Sequence, residues 1–228
     1  MTKLATEQGS VQWPLIKHTT DKKLGWTFIN QETALGLRRG EGGRFFYDEL
    51  AHKLTQLNPS LVTSDNVGQI IQSLESVPDA MEGNKEILEW LRGQKSIYDE
   101  KEKRQRNVVL IDYKDISKNT FHITEEWAYQ NGPKKGNRAD VVFLINGIPV
   151  AIIENKNPKK RDGMEKAVTQ LKRYELETPE MMVSPQVFNV THLFEYFYGV
   201  TWNYSRKNIF NWKDELGHKE YEENGDIV

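Results

Sequence analysis

Residues 137–160 read "NRADVVFLINGIPVAIIENKNPKK". Two apolar runs, Ala139–Ile145 and Ile148–Lys156, flank Asn146-Gly147, a strong short-range hairpin signal. Both runs are apolar at successive positions, so the strands are expected mid-sheet with cover on both faces. Yet an acid, Asp140, opens the first strand, and Glu154 and Lys156 close the second. Charges at the ends of buried strands are costly unless something pairs with them.

Strand parity sharpens this. Glu154 and Lys156 are two apart and share a face. A two-residue Asn146-Gly147 loop pairs Ile145 with Ile148, sets Asp140 opposite Ile153 and sends Glu154 to the other face. A three-residue loop, Asn146-Gly147-Ile148, sets Asp140 opposite Glu154, with their Cβ atoms about 5 Å apart. Two carboxylates that close repel unless a cation lies between them. The expectation is therefore a three-residue loop with Gly147 as the bulge glycine, or an equivalent bulge nearby. Hard carboxylate oxygens suit Mg²⁺, with Mn²⁺ as a substitute, and the matching chemistry is metal-assisted phosphodiester hydrolysis. In that reading Asp140 and Glu154 hold the metal, the carbonyl of Asn155 adds a ligand, and Lys156 contacts the attacking water or a phosphate oxygen.

The acid-x-Lys element alone is weak. Asp21-x-Lys23, Asp99-x-Lys101 and Asp112-x-Lys114 also occur, and the last closes another apolar run. What Asp112 lacks is a preceding strand with an acid at matching parity.

Working outward, helical periodicity is expected over 44–58, 63–77 and 84–94, the last capped by Asn84 and closed near Gly93. A shorter helix is expected over roughly 5–18, kinked or interrupted at Pro14. Strands are expected over 107–114, 120–129, 185–190 and 194–200. A helix over 162–177 opens with a capping box of Asp162 and Glu165. Phe45, Phe46, Trp90 and Trp127 read as core, His122 as core edge, and "GLRRGEGG" (36–43) as a flexible connector. The fold class is thus α/β: a mixed sheet over 107–200 flanked by helices, after a mainly helical part over 1–100. The unit runs 1–212, and the polar, acidic stretch 213–228 reads as tail or linker.

Composition bounds the function. The 228 residues include no cysteine, which excludes disulfides, thiol chemistry and Cys-type zinc sites. The histidines at 18, 52, 122, 192 and 218 lack metal-ligand spacing. No Gly-x-x-x-x-Gly-Lys-(Ser/Thr) phosphate loop occurs, so ATP is not bound in that way. No signal peptide or membrane-length apolar run is present, and a cytoplasmic location is expected. Net charge is −2, but residues 134–173 carry ten Lys/Arg against four Asp/Glu. A local basic field of that kind, including Lys159, Lys160 and Arg161, suits phosphate contacts.

"NRADVVFLINGIPVAIIENKNP" resembles the nuclease motif of the restriction (R) subunit of type I restriction-modification enzymes, a RecB-like branch of the PD-(D/E)xK superfamily. Asp140, Asn146-Gly147-Ile148-Pro149, Glu154, Lys156 and Asn157-Pro158 match its pattern, with Ala139 where proline is usual. Gln170 and Tyr174 match its Gln-x-x-x-Tyr element, at i and i+4 on one helical face. "TEQGSVQWPLI", "KKLGW", "LNP" and "GVTWN" resemble the family's opening and close, where Glu7 corresponds to a helix glutamate that joins the metal shell.

The resemblance implies a restriction-endonuclease-like fold and a Mg²⁺-dependent endonuclease domain of a type I site-specific deoxyribonuclease. Its substrate is duplex DNA and its partners are the methyltransferase and specificity subunits. ATP belongs to a motor region absent from these residues, so an excised domain is favoured over a truncated natural relative. Two other readings stay open: a non-catalytic docking module of the same assembly, and a stand-alone RecB-like DNA nuclease.

Overall fold

The computed structural model of the chain describes residues 11–133, 135–156, 163–191 and 196–211. In chain order the elements are α1 (Trp13–Thr19), β1 (Thr27–Ile29), α2 (Gln31–Leu37), α3 (Tyr47–Leu57), α4 (Val67–Glu75) and α5 (Met81–Leu91). Then come β2 (Ser96–Asp99), β3 (Arg104–Asn107), β4 (Phe121–Tyr129), β5 (Asn137–Ile145) and β6 (Ile148–Asn155). The last are α6 (Gly163–Glu177), α7 (Pro179–Met182), β7 (Val187–Thr191), β8 (Tyr196–Val200) and β9 (Phe210–Asn211).

Seven strands form one mixed sheet in the order β1-β4-β5-β6-β7-β8-β9, and β2-β3 is a separate hairpin. The pairs β1/β4 and β6/β7 are parallel, and the others in the large sheet are antiparallel. The result is a restriction-endonuclease-like mixed α/β fold, as the sequence implies. No helix among the described residues is long and apolar enough to cross a membrane.

Cover on both faces of the hairpin follows from its apolar pattern. α6 lays Ala167, Leu171 and Tyr174 on Val142, Ile152, Phe188 and Val190. On the opposite face, Ile16 of α1 packs with Ile123, Val141 and Ile153. Helices α3 to α5 build a second cluster around Phe45, Leu50, Leu54, Ile87 and Trp90, which reaches Ile148 at the hairpin end.

The hairpin turn corrects one expectation. Ile145 pairs with Ile148, so the loop has two residues. Asn146 at φ 52° and Gly147 at φ 81° are both left-handed, as a type I′ turn requires. Asn146 is locked there: its side chain donates to the Leu110 carbonyl (2.8 Å) and to Asn119 Oδ1 (2.9 Å), and accepts from Thr120 N (2.8 Å). A Cβ on Gly147 would lie 2.6 Å from the Phe46 carbonyl oxygen, so α3 and the turn approach too closely for any side chain. The parity change comes one step later. Leu144 faces Pro149, but Phe143 faces Ala151, leaving Val150 as an extra residue on β6. Pro149 has no N–H to continue the ladder, which suits a bulge at this place.

Other expectations shift for identifiable reasons. Residues 108–114 are not a strand. Val108 and Leu110 are buried in the helical cluster, and side chains satisfy the local backbone instead: Asn58 exchanges two hydrogen bonds with Val109. The Asp112 carboxylate accepts from the backbone N–H groups of Lys114 and Asp115, so the rival acid-x-Lys element closes a turn. Asn84 lies inside α5, where its side chain donates to the Val183 and Pro185 carbonyls instead of capping. Pro14 sits in the first turn of α1, where its missing N–H costs nothing; Val11 and Gln12 form a wider π-type turn before it, so the winding changes where an interruption was expected, and residues 5–10 lie outside the described residues. The "GLRRGEGG" loop is packed: Arg38 is buried, stacks on Trp127 at 3.9 Å, and donates to the Ala128 carbonyl at 2.8 Å. Phe45, Phe46, Trp90 and Trp127 are buried as expected. The short elements β1, α2, β2, β3, α7 and β9 escaped the periodicity reading. The proposed cap Asp162 lies outside the described residues.

Candidate active site

The Val150 bulge decides what faces what. From it the register runs Phe143–Ala151, Val142–Ile152 and Val141–Ile153. The next step brings Asp140 opposite Glu154. Glu154 shares the parity of Ile152, hence the face covered by α6. Asp140 Oδ2 accepts a 2.7 Å hydrogen bond from Asn155 N, which ties the first acid to the end of β6.

Glu154 is fully buried. One carboxylate oxygen lies 3.0 Å from the Tyr174 hydroxyl, the other 3.3 Å from Lys156 Nζ. Burial pushes this carboxyl up to about 8, with the charge of Asp140 pushing the same way and Lys156 and Tyr174 opposing. Without a further cation, the pocket thus favours a protonated Glu154. Burial also raises the Tyr174 phenol well above its ordinary value, and the Glu154 charge adds to that. Its hydroxyl donates to the Arg138 carbonyl and accepts from Gln170 Nε2.

Lys156 Nζ is the most informative atom. It donates to Gln170 Oε1 at 3.0 Å, to the Asn155 carbonyl at 3.1 Å and to Glu154 Oε2 at 3.3 Å. The ammonium therefore touches two of the three oxygen groups expected to bind a metal. Asp140, Glu154, Asn155, Lys156, Gln170 and Tyr174 are thus brought together. The i, i+4 spacing of Gln170 and Tyr174 on α6 puts both over the end of β6. Glu7, Lys159, Lys160 and Arg161 lie outside the described residues.

The donor set suits a hard divalent cation. Two carboxylates and one backbone carbonyl are all oxygen, the chemistry Mg²⁺ and Mn²⁺ select. The carboxyl is raised first by burial and then by the charge of Asp140, so a cation bridging the two acids would favour its ionised form. Among the described residues no group of three His, Cys, Asp or Glu side chains is placed to hold a metal. Both side-chain polar atoms of Asn155 are buried without a hydrogen-bond partner, an arrangement that costs on the order of 1–3 kcal/mol.

Two residues here had escaped notice. Gln12, buried at the start of α1, reaches the Asp140 carbonyl (3.3 Å) and Glu125 Oε2 (3.2 Å) with its Nε2. A lone glutamine carries no sequence signal for this. Glu126 stands opposite Asp140 in the β4/β5 register and adopts φ 52°, a costly conformation for a residue with a side chain. That kink reverses the strand: Ile123 packs under α1, whereas Trp127, of the same parity, packs under α6. The Glu125-Glu126 pair was the available signal, because adjacent acids in a strand put one of them on an apolar face.

Comparison with known proteins gives the family of the chain. Residues 5–210 match the family model described as "Type I restriction enzyme R protein N terminus". The putative type I restriction enzyme MjaVIIP endonuclease subunit of Methanocaldococcus jannaschii is 38% identical over 110 residues, covering 48% of this chain and 10% of that protein. The putative MjaIXP endonuclease subunit of the same organism is 36% identical over 102 residues, 43% of this chain and 10% of that protein. The Escherichia coli type I restriction enzyme EcoprrI endonuclease subunit is 32% identical over 75 residues, 33% of this chain and 23% of that protein. The chain thus matches between a tenth and a quarter of the length of these relatives. With the family model covering most of its length, the chain belongs to the type I restriction enzyme R protein N-terminal family.

Proposed function

We propose that this chain is the metal-dependent endonuclease domain of a type I restriction enzyme R subunit, hydrolysing phosphodiester bonds of duplex DNA. The observation that carries the reading is the Val150 bulge, which puts Asp140 and Glu154 on one side of the sheet with Lys156 Nζ against Glu154. Without that extra residue Asp140 and Glu154 would point to opposite faces of the sheet. The names of the relatives, endonuclease subunits of type I restriction enzymes, support the same reading.

Asp140, Glu154 and the Asn155 carbonyl would hold Mg²⁺ or Mn²⁺, with Glu7 as a further candidate. The chemistry a bound divalent cation supplies is activation of a water and neutralisation of charge developing on phosphorus. Asp140 is fixed by the Asn155 N–H, and Glu154 is fixed by Tyr174. Gln170 holds the Lys156 ammonium next to the carboxylates, where it can orient the attacking water or bind a non-bridging phosphate oxygen. Gln170 Oε1, 3.0 Å from Lys156 Nζ, would keep the ammonium in place if Glu154 and the Asn155 carbonyl were to hold a cation. Lys159, Lys160 and Arg161 follow directly in the chain and would contact DNA.

In this reading residues 1–212 form the nuclease unit and 213–228 a linker. ATP would serve a motor elsewhere in the subunit, and methyltransferase and specificity subunits would complete a cytoplasmic assembly. The test is cleavage by the complete ATP-driven assembly carrying Asp140→Ala or Glu154→Ala in its R subunit. Loss of cleavage with subunit assembly and folding retained is expected. Either variant cutting at the wild-type rate overturns the reading.

A further inference from the structure

Beside the carboxylate pair runs an open groove of about 470 Å³, walled by Ala128–Gln130 and Lys135–Arg138 on one side and by Gln170 and Arg173 of α6 on the other. Asp140 and Gln170 belong to its wall, so whatever occupies the groove ends at the proposed reacting centre. Three cations line it, Lys135, Arg138 and Arg173, together with the acids Glu41 and Asp140. Each cation is held by a carboxylate. Lys135 pairs with Glu177 at 3.0 Å, Arg173 with the same Glu177 at 3.6 Å, and Arg138 with Glu126 at 2.8 Å. All three cations are largely exposed, with side-chain exposures of 72%, 49% and 60% for Lys135, Arg173 and Arg138. Their carboxylate partners are more covered, at 26% for Glu177 and 17% for Glu126, so the cations are the ends of these pairs that an anion can reach.

The geometry points to a phosphate track: the groove takes the sugar–phosphate backbone of duplex DNA next to the scissile bond. Lys135, Arg138 and Arg173 contact successive phosphates, and Glu126 and Glu177 occupy the phosphate positions in the free protein. This deepens the nuclease reading and rests on it. Two features favour a polyanion over an apolar or small neutral ligand. The groove wall is backbone and polar side chain, with Tyr129 and Ala128 its only apolar members. The three cations also reach solvent while their carboxylate partners are largely covered, so basic groups are what an incoming polyanion meets. Arg138 adds a link to the chemistry, since its carbonyl accepts from the Tyr174 hydroxyl that touches Glu154. Arg138 also stands two residues before Asp140 on β5.

The experiment is fluorescence anisotropy of a short labelled DNA duplex with the full 228-residue chain, in EDTA and again with Ca²⁺, across a salt series. Lys135→Ala/Arg138→Ala is expected to lower the slope of log affinity against log salt by about two and weaken binding at low salt by tenfold or more. Glu177→Gln, which frees Lys135 and Arg173, tightens binding severalfold. The charge-matched control Lys103→Ala/Arg104→Ala on the β2-β3 hairpin leaves slope and affinity unchanged. The inference is overturned if the groove variant behaves like the control, if Glu177→Gln gives no gain, or if the wild-type chain binds no duplex in either condition. Mn²⁺ calorimetry separates the two failures. Groove variants that keep both metal and DNA binding sink the track alone, whereas metal binding that survives Asp140→Asn sinks the nuclease reading.

Discussion

Glu154→Gln makes the metal-free chain more stable, and the gain grows with pH. The wild-type carboxyl is lifted from an ordinary value of 4.5 to about 8 by complete burial and by Asp140. Its folded value lies above its unfolded value. Its contribution to stability is therefore intact below about pH 4.5 and is lost as pH rises towards 8. At pH 7 ionisation of the unfolded chain costs the fold roughly 3 kcal/mol, and above pH 8 the loss approaches about 5 kcal/mol. Glutamine removes this dependence and keeps the contacts. Its oxygen faces Lys156 Nζ, and its amide nitrogen donates to the Tyr174 hydroxyl, whose own hydrogen goes to the Arg138 carbonyl. Urea or thermal unfolding in EDTA, at a series of pH values from 5 to 9, reads the difference between the two proteins. Near-equality is expected at acid pH, with a gain of about 3 kcal/mol at pH 7, equivalent to roughly 6–12 °C for a chain of this size. Parallel pH profiles for the two proteins, or a variant less stable than wild type at pH 8, refute the claim that burial beside Asp140 penalises the ionised Glu154 carboxyl.

Three further outcomes follow from the same structure. Tyr174→Phe deletes a buried hydroxyl bonded to Glu154, Gln170 and the Arg138 carbonyl, and lowers stability by about 1–3 kcal/mol in urea titration. An unchanged midpoint would show that the hydroxyl is dispensable. Gly147→Ala puts a methyl 2.6 Å from the Phe46 carbonyl oxygen at φ 81°, and costs about 2 kcal/mol or more by the same assay. A neutral effect would mean that α3 yields freely to the turn. Because Glu154 is largely protonated at neutral pH, metal binding releases a proton there. The calorimetric heat then depends on the buffer's ionisation enthalpy at pH 7 and loses that dependence well above pH 8. Buffer-independent heat at pH 7 contradicts it.

Much of this site was legible before any coordinates. Apolar runs on both faces of residues 139–156 required a central hairpin with cover, and α1 and α6 provide it. A cation shared by Asp140 and Glu154 required an odd residue somewhere between them. The chain supplies it at Val150, beside Pro149, instead of within the turn. The turn itself stayed at two residues because Asn146 is held by three hydrogen bonds from 110–120, contacts no local rule reveals. The same blindness hid the path of residues 108–114, where Asn58 replaces a strand partner. Short elements such as β1 and α7 are fixed by tertiary contacts and offer too few residues to show a period. Gln12 entered the site through folding alone, whereas Glu126 left a trace in the sequence as one of two adjacent strand acids.

The central claim is that Asp140 and Glu154 together bind a divalent cation. Isothermal titration of Mn²⁺ and Mg²⁺ into the wild-type chain and into Asp140→Asn, at pH 8, tests it most directly. Saturable binding by the wild type that disappears in a folded Asp140→Asn variant is the result expected. Equal binding by the two proteins, or none by the wild type, contradicts it.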